Sequence, residues 1–209
     1  MLLRSLLSLV APPLCAGCGA SAGRAEPLCG RCRSELRWLG HSPIRTGPVL
    51  AWAPLAYEGP ARALVRGLKF GGMEGVATTM AAQVVAGAPP DLLTGGCLVP
   101  APLHPARLRR RGYNQAERLA TAIAVRTGLS VCDCLERAGP AETQVGRDRA
   151  ERLAGISGRV CVRAGAPSRA IVVDDVLTTG ATIAACAEAL AEAGSREIVA
   201  VAYARTPGR

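Results

Sequence analysis

The chain has 209 residues, of which 49% are hydrophobic and 20% are charged. The length excludes a large multidomain assembly, and the proportions are typical of a packed globular protein and exclude a disordered chain. The net charge of +9 permits binding to phosphate groups or nucleic acid but is weak evidence for either.

The first ten residues predict a short amphipathic helix. Their apolar run contains Arg4 and is interrupted by Ser5 and Ser8, so it falls short of a secretory signal. No stretch of the chain approaches the roughly 18–20 apolar residues that span a membrane. We therefore expect no membrane span and a cytoplasmic location.

Four cysteines follow in the pattern C-x2-C-x10-C-x2-C, at Cys15, Cys18, Cys29 and Cys32. Two close cysteine pairs at this spacing can bring four thiolates to one Zn²⁺, and so short a segment needs such a crosslink to fold. The spacing predicts a structural zinc ribbon. Two disulfides, free thiols or an iron–sulfur cluster are the alternatives, and disulfides need an oxidising compartment.

The other five cysteines lie in apolar or strand-like surroundings. They are interpreted as small core residues rather than metal ligands. Cys132 and Cys134 are two residues apart, so on a strand both side chains would face the same way. The five are Cys97, Cys132, Cys134, Cys161 and Cys186.

A charged, turn-rich stretch at residues 33–48 predicts a linker. The predicted organisation is a helix and zinc ribbon in residues 1–45, followed by a second domain in residues 46–209.

The second domain alternates strands with helices. This alternation predicts an α/β fold with a mostly parallel sheet, helices on both faces and a ligand site at the carboxyl ends of the strands. The predicted strands are 49–57, 97–99, 160–162, 170–173 and 198–203, and the predicted helices are 61–70, 74–85, 114–126 and 181–193.

A basic segment follows the strand at 97–99. Pro100 and Pro102 end the strand and stiffen a turn. His104, Arg107, Arg109, Arg110 and Arg111 then place several donors beside it, an arrangement suited to clamping a pyrophosphate. A solvated basic turn is the alternative, and His104 is a candidate for acid–base work, for a pyrophosphate contact or for simple packing of the turn.

Residues 143–156 are rich in arginine and resemble the flexible catalytic loop of type I phosphoribosyltransferases, which implies a mobile basic lid; an exposed charged helix is the alternative. A lid would bring its arginines to the site only when it closes, which would exclude water from the reacting groups.

The segment 169–182 combines a β-branched strand, two acids and a small hydroxyl-rich loop that opens into a helix. The N–H groups of such a loop converge on one point and can hold a phosphate, while Gly180 permits close approach. Because acids beside that point would repel a phosphate, Asp174 and Asp175 are assigned to sugar hydroxyls or Mg²⁺. A plain strand end with a helix cap is the alternative. In the phosphate-loop interpretation, the hydroxyls of Thr178, Thr179 and Thr182 are further hydrogen-bond donors.

This segment resembles the phosphoribosyl-pyrophosphate (PRPP) signature of type I phosphoribosyltransferases. The motif V-P-A-P-L-H-P-A-R-L-R-R-R-G-Y-N-Q at 99–115, the Leu68-Lys69-Phe70 element and the amino-terminal four-cysteine segment resemble the ComF family. The resemblance implies a type I phosphoribosyltransferase-like fold with an amino-terminal zinc ribbon.

The resemblance also implies roles for individual residues. The acids would hold the ribose hydroxyls, the loop would hold the 5′-phosphate, and Gln144, Arg149 and Arg152 would act as catalytic residues on the lid. Gly155 stands where the family has Asn, so any role of that Asn is in doubt. The expected PRPP-binding residues are Asp174, Asp175, Thr178, Thr179, Gly180, Ala181, Thr182, Pro102, Leu103, His104 and Arg107.

The functional expectation is a ComF-type protein that binds PRPP with Mg²⁺ and acts in DNA uptake and handling during natural transformation. An active phosphoribosyltransferase acting on an amine or nucleobase, and a PRPP-sensing regulatory module, are the alternatives. Expected partners are single-stranded DNA and proteins of the competence machinery. DNA contact is expected mainly on the ribbon and linker, through Arg24, Arg31, Arg33 and Arg37, with Trp38. The alternative is that these arginines only keep the segment soluble.

Overall fold

The structure is a computed structural model that describes residues 13–23, 26–70, 75–137 and 160–207. The described helices are α1 (Gly30–Ser34), α2 (Gly59–Phe70), α3 (Val76–Gly87), α4 (Pro105–Arg111), α5 (Gln115–Thr127) and α6 (Ala181–Glu192). The described strands are β1 (Ile44–Thr46), β2 (Val49–Trp52), β3 (Leu55–Ala56), β4 (Cys97–Pro100), β5 (Ser130–Val131), β6 (Leu135–Arg137), β7 (Val160–Val162), β8 (Arg169–Leu177) and β9 (Glu197–Arg205).

Seven strands form the main sheet, in the order β1-β2-β9-β8-β4-β5, with β3 also paired to β9. Every pair is parallel except β1 with β2. Strands β6 and β7 form a separate antiparallel pair. Because β8 lies between β9 and β4 it is buried on both faces, as its run of β-branched residues predicts.

The core has two parts, one on each face of the sheet. On β8, Ile171 and Val173 point to the face covered by α2, α3 and α5, while Val172 points to the face covered by α6. This alternation follows from the two-residue period of a strand. The mostly parallel sheet with helices on both faces is the architecture that the sequence predicted.

The amino-terminal segment packs against the first of these core parts. Leu28 and Leu36 belong to the same buried cluster as Trp52 and Leu64. The Trp52 indole N–H also donates to the Gly40 carbonyl oxygen at 2.9 Å. These contacts join residues on the two sides of the predicted domain boundary at residue 45. The boundary itself stays a prediction.

The interpretation of residues 33–48 as a linker was wrong in part. The stretch contains the end of α1 and the edge strand β1, whose residues Ile44 and Thr46 pair with Ala51 and Val49. A three-residue strand is too short to show an alternating pattern, so its pairing depends on the neighbouring strand.

Among the described helices, none is long and apolar enough to cross a membrane. The helix predicted for the first ten residues lies outside the described residues.

Candidate ligand site and four-cysteine metal site

The four amino-terminal cysteines come together as the spacing predicted. Their sulfur atoms all lie within 4.8 Å of one another, and the Sγ atoms of Cys18 and Cys29 are 3.7 Å apart. Four ligands at about 2.3 Å from a tetrahedral centre would be separated by about 3.8 Å, which is the geometry of a zinc–thiolate site. The arrangement therefore fits a structural Zn²⁺.

The local backbone supports this cluster. Cys32 is on α1, and the Cys29 N–H donates to the Cys15 sulfur at 3.2 Å. Burial alone would raise the pKa of the Cys15 thiol, but N–H donors of Cys29, Cys18 and Gly17 outweigh it and lower that pKa to about 6. A Cβ on Gly17 would lie 2.9 Å from the Cys32 sulfur, so glycine is needed there. These donors thus favour the thiolate form of Cys15, the form that binds metal, whereas burial raises the pKa of the Cys32 thiol.

Two of the remaining five cysteines are core residues, as the sequence interpretation expected of all five. Cys134 and Cys186 are buried, and burial raises the pKa of each thiol to about 12. Cys97, Cys132 and Cys161 are half-buried. Within the described ranges, the amino-terminal cluster is the only group of three or more ligands with metal-site spacing. Cys132 and Cys134 lie between β5 and β6 rather than on one strand.

A cavity of about 490 Å³ opens at the carboxyl edge of the sheet, where β4 and β8 end side by side. This is the edge at which the strand pattern predicted a ligand site. The predicted residues on its wall are Asp174, Asp175, Thr178, Thr182, Pro102, Leu103, His104 and Arg107.

The predicted phosphate loop lines a second, smaller cavity of about 30 Å³ that shares Asp174, Thr178 and Thr182 with the first. Thr179, Gly180 and Ala181 also line it. The loop ends at the first turn of α6, whose N–H groups have no intrahelical partners. The loop therefore has the shape of an anion cradle.

Gly180 is required at this turn for two reasons. Its φ is +79°, a conformation that side chains disfavour, and a Cβ would lie 2.1 Å from the Thr46 Cγ2 atom. Thr46 is on β1, so the edge strand that the sequence analysis missed supports the cradle from behind.

The two acids at the end of β8 have different surroundings. Asp175 is buried, pairs with the Lys69 ammonium and accepts a hydrogen bond from the Gln115 side-chain amide at 2.9 Å. Asp174 accepts from the Asp175 backbone N–H at 2.8 Å. Burial, with the neighbouring Asp175 carboxylate, raises the pKa of Asp174 to about 7. A carboxylate in this position fits a hard cation such as Mg²⁺ or a sugar hydroxyl.

The opposite wall of the cavity is basic. Arg107, Arg110 and Arg111 of α4 line it, whereas Arg109 does not. No helix was predicted from the sequence for residues 105–111. The segment is a helix, and helical spacing brings residues 107, 110 and 111 to one face while Arg109 points elsewhere.

His104 caps the start of α4. Its Nδ1 atom accepts a hydrogen bond from the Ala106 N–H at 3.2 Å, and the chain then enters the helix at Pro105. Nδ1 therefore packs the turn and caps the helix, while a pyrophosphate contact or acid–base work by His104 stays a prediction.

Three residues at the cavity were not assigned roles by the sequence analysis. Arg137, at the end of β6, donates to the Pro102 carbonyl at 3.1 Å and to the Thr182 hydroxyl at 3.3 Å, so it joins the two predicted loops. Lys69 and Gln115 reach Asp175 from α2 and α5. Lys69 and Gln115 both lie in motifs that carried the family resemblance, whereas Arg137 lies in none.

The predicted lid residues Gln144, Arg149 and Arg152, and Gly155, lie outside the described residues. The lid therefore stays a prediction.

Comparisons with known proteins place the two sites in context. Residues 6–44 match the family model of the double zinc ribbon domain. Competence protein F of Haemophilus influenzae is 27% identical over 219 aligned positions, covering 97% of this chain and 94% of that protein. Competence protein ComFC of Streptococcus pneumoniae is 34% identical over 99 positions, covering 46% of this chain and 42% of that protein. The resemblance to the ComF family is confirmed.

Two solved enzymes show a weaker structural likeness. One is described as the allosteric regulatory enzyme of purine biosynthesis, with a TM-score of 0.38 and 18% identity. The other is the glutamine PRPP amidotransferase of B. subtilis complexed with ADP and GMP, with a TM-score of 0.39 and 17% identity. Each match covers 66% of this chain and 26% of the enzyme, so the chain spans about a quarter of their length.

Proposed function

We propose that this relative of the ComF competence proteins binds PRPP, as its Mg²⁺ complex, in the cavity at the carboxyl edge of the sheet. One observation carries the proposal: a carboxylate and a basic helix face line one cavity, and the anion cradle lines a smaller cavity that shares Asp174, Thr178 and Thr182 with it. PRPP has a 5′-phosphate, two ribose hydroxyls and a pyrophosphate, and each would meet a wall of suitable chemistry.

The cradle suits the 5′-phosphate. The N–H groups at the start of α6 and the hydroxyls of Thr178, Thr179 and Thr182 supply donors, and the helix dipole favours a negative charge there. Asp174 faces the same space and would accept from the ribose hydroxyls or hold the Mg²⁺, which neutralises charge when bound.

The basic face of α4 suits the pyrophosphate. Arg107, Arg110 and Arg111 line the wall next to Pro102 and Leu103. Guanidinium groups bind phosphate oxygens in pairs, so several of them on one helix face can hold a doubly charged group. Gln144, Arg149 and Arg152 would close over this end as the lid.

The biological role that we propose is the handling of DNA during natural transformation, in the cytoplasm and with proteins of the competence machinery. Its support is the likeness to two proteins named for competence, one of them over nearly the whole chain.

Phosphoribosyl transfer to an acceptor is the second candidate function. The observation that favours it is Phe70, which lines the cavity with 69% of its surface exposed. An exposed aromatic ring at the wall of a polar cavity offers a flat apolar face to a planar acceptor such as a nucleobase.

Calorimetric titration with PRPP, in the presence and absence of Mg²⁺, tests the first proposal. We expect Mg²⁺-dependent binding that weakens about tenfold in Thr178→Val with Thr182→Val, since each lost hydrogen bond to a charged group costs about 1.5–3 kcal/mol and part of it is regained from water. Thr94→Val is the matched control, because Thr94 is exposed and does not line either cavity.

Absence of PRPP binding by the wild type would overturn the first proposal. A screen for pyrophosphate release with purines, pyrimidines and ammonia then separates the remaining functions. Turnover would establish the transferase, while binding without turnover would favour the DNA-handling role or a PRPP-sensing module.

A further inference from the structure

Five residues from four elements form a closed set of contacts along one wall of the cavity, here called the contact ring. Lys69 pairs with Asp175, and Gln115 donates to the Asp175 Oδ1 atom at 2.9 Å. The Arg111 guanidinium donates to the Gln115 side-chain oxygen and lies 5.1 Å from the centre of the Phe70 ring. Because Phe70 follows Lys69 on α2, the set of contacts closes on itself.

Asp175 is the most enclosed member of the contact ring. Its side chain is 4% exposed and that of Lys69 is 24% exposed. Oδ1 accepts from Gln115, while Oδ2 accepts no hydrogen bond within the described part of the chain and faces the Lys69 ammonium. A buried carboxylate is stable only when it is paired. The Asp175 carboxylate is therefore engaged by Lys69 and Gln115 before any ligand binds.

Asp174 is available in a way that Asp175 is not. Its carboxylate accepts from the Asp175 backbone N–H and lines both cavities, including the anion cradle that Asp175 does not reach. Among the described residues, no basic side chain forms an ion pair with it.

We propose that the two acids have different roles. Asp174 is the carboxylate that contacts the ligand, and Asp175 is a positioning residue held by Lys69 and Gln115. The identity of the ligand, a Mg²⁺-bound phosphorylated sugar, rests on the proposed function. The contact ring itself does not.

The charge arithmetic supports this division. Two unpaired carboxylates beside an anion cradle would repel a phosphorylated ligand. The Lys69 ammonium offsets one of those charges, so a single carboxylate remains for the cation or the hydroxyls. Through Gln115 and Arg111, the ring also connects the acidic end of β8 to the basic helix α4.

The first experiment is a set of isosteric variants titrated with Mg²⁺ and PRPP. Asp174→Asn should weaken binding roughly 100-fold, the scale of a lost charge-assisted contact to the ligand. Asp175→Asn and Lys69→Met should each lower Tm and weaken binding by less, roughly tenfold, because each leaves a buried charge without its partner.

The double variant, Asp175→Asn with Lys69→Met, is the decisive member of the set. Removing both charges together should restore Tm and most of the affinity relative to either single variant. A double variant that binds no better than Asp175→Asn alone would overturn the proposal, and so would equal losses in Asp174→Asn and Asp175→Asn.

A second readout needs no PRPP. Because Lys69 is the only lysine, ¹⁵N-lysine labelling gives one side-chain ammonium signal in an NMR spectrum. We expect a slowly exchanging, ion-paired signal in the wild type and in Asp174→Asn, and its loss in Asp175→Asn. Addition of Mg²⁺ and PRPP should leave the signal in place. A signal that moves when ligand is added to the wild type, but not to Asp174→Asn, would mean that Lys69 leaves Asp175 for the ligand.

The two proposals fail separately. If the wild type binds no PRPP, the proposed function falls, while the Tm values of the variants and the ammonium signal still decide whether Lys69 holds Asp175.

Discussion

The four-cysteine cluster and the ligand cavity use the chain in opposite ways. All four thiols come from residues 15–32, whereas the cavity collects side chains from Lys69 on α2 through Thr182 on α6. A metal ion needs only a few ligands at the right spacing, which a short segment can supply. A cavity needs walls, and at this sheet edge those walls come from elements far apart in the chain.

The two regions should therefore respond differently to change. A substitution in the cluster should affect metal content and its own segment first, because its geometry depends on local turns. A substitution in the cavity should alter ligand binding while metal content stays the same. The predictions below test this contrast, beginning with the largest effect.

The largest effect is expected from Asp174→Ala combined with Asp175→Ala. The cavity loses both nearby carboxylates of the β8 end, and Lys69 loses its partner, so we expect Mg²⁺-dependent PRPP binding to fall by more than about 100-fold. Calorimetry measures it. Asp133→Ala is the control, because Asp133 is exposed and pairs with Arg163 instead. Unchanged affinity would mean that the 169–182 segment has been misassigned, and changed zinc content would weaken the contrast between the regions.

The next largest effect is expected from Cys15→Ala. We expect about one Zn²⁺ per wild-type chain by elemental analysis and loss of that metal in the variant, since zinc binding supplies about 10–16 kcal/mol to domains of this kind. Hydrogen exchange should increase in residues 13–40 and stay slow in β8. Leu28 and Leu36 share the core of the sheet, so a disturbance of the cluster has a route to β8. Fast exchange throughout β8 would show that this route dominates and would contradict the contrast. Cys161→Ala, a half-buried cysteine outside the cluster, is the control.

A smaller effect is expected from Gly180→Ala. The left-handed conformation costs a side chain about 1–2 kcal/mol, and the clash with Thr46 adds about 1–3 kcal/mol of overpacking. Gly95→Ala separates the two contributions, because Gly95 has a φ of +60° and open space around it. Denaturant unfolding should show the greater loss of stability for Gly180→Ala, and equal losses would show that β1 does not support the cradle.

A dependence on pH follows from Asp174. Its pKa is raised from an ordinary value of 3.8 to about 7, so the folded state favours the neutral carboxyl. The corresponding stability is fully present below about pH 4 and is lost as the pH rises through about 7. Unfolding free energies of the ligand-free protein between about pH 4 and pH 8 should fall less steeply in Asp174→Asn than in the wild type. Identical slopes would contradict the assignment.

The smallest effect concerns DNA. Arg31, Arg33 and Arg37 are exposed but pair with Glu35, Glu26 and Glu58. We therefore expect weak binding of single-stranded DNA that falls steeply with salt and falls further when the three arginines are replaced. Anisotropy with a labelled oligonucleotide measures it.

Replacing the three glutamates by Gln is the matched comparison for this prediction. It should strengthen DNA binding, because the arginines would be released from their partners. If replacing the arginines leaves binding unchanged, the DNA contact lies elsewhere. Arg24 lies outside the described residues.

The sequence predicts a site well when the residues of that site lie in one short segment of the chain. The C-x2-C-x10-C-x2-C spacing brings four thiols together as predicted, and residues 169–182 form a strand and a loop that opens into a helix as predicted. Phosphate binding by that loop stays a prediction. Arg137 was missed because its partners, Pro102 and Thr182, are far away in the chain and no pattern surrounds it. The α4 helix was not predicted, because four arginines in five residues hide the apolar spacing of a helix.

The sequence by itself determined the fold class, the cysteine cluster and the loop that forms the anion cradle. Each of these depends on spacing within a short segment, and backbone geometry converts such spacing directly into structure. Tertiary structure alone decided that Lys69 and Gln115 contact Asp175, that Arg109 does not line the cavity, and that Thr46 lies behind Gly180. These facts depend on packing between elements that are distant in the chain, and no local pattern records which side chains will meet.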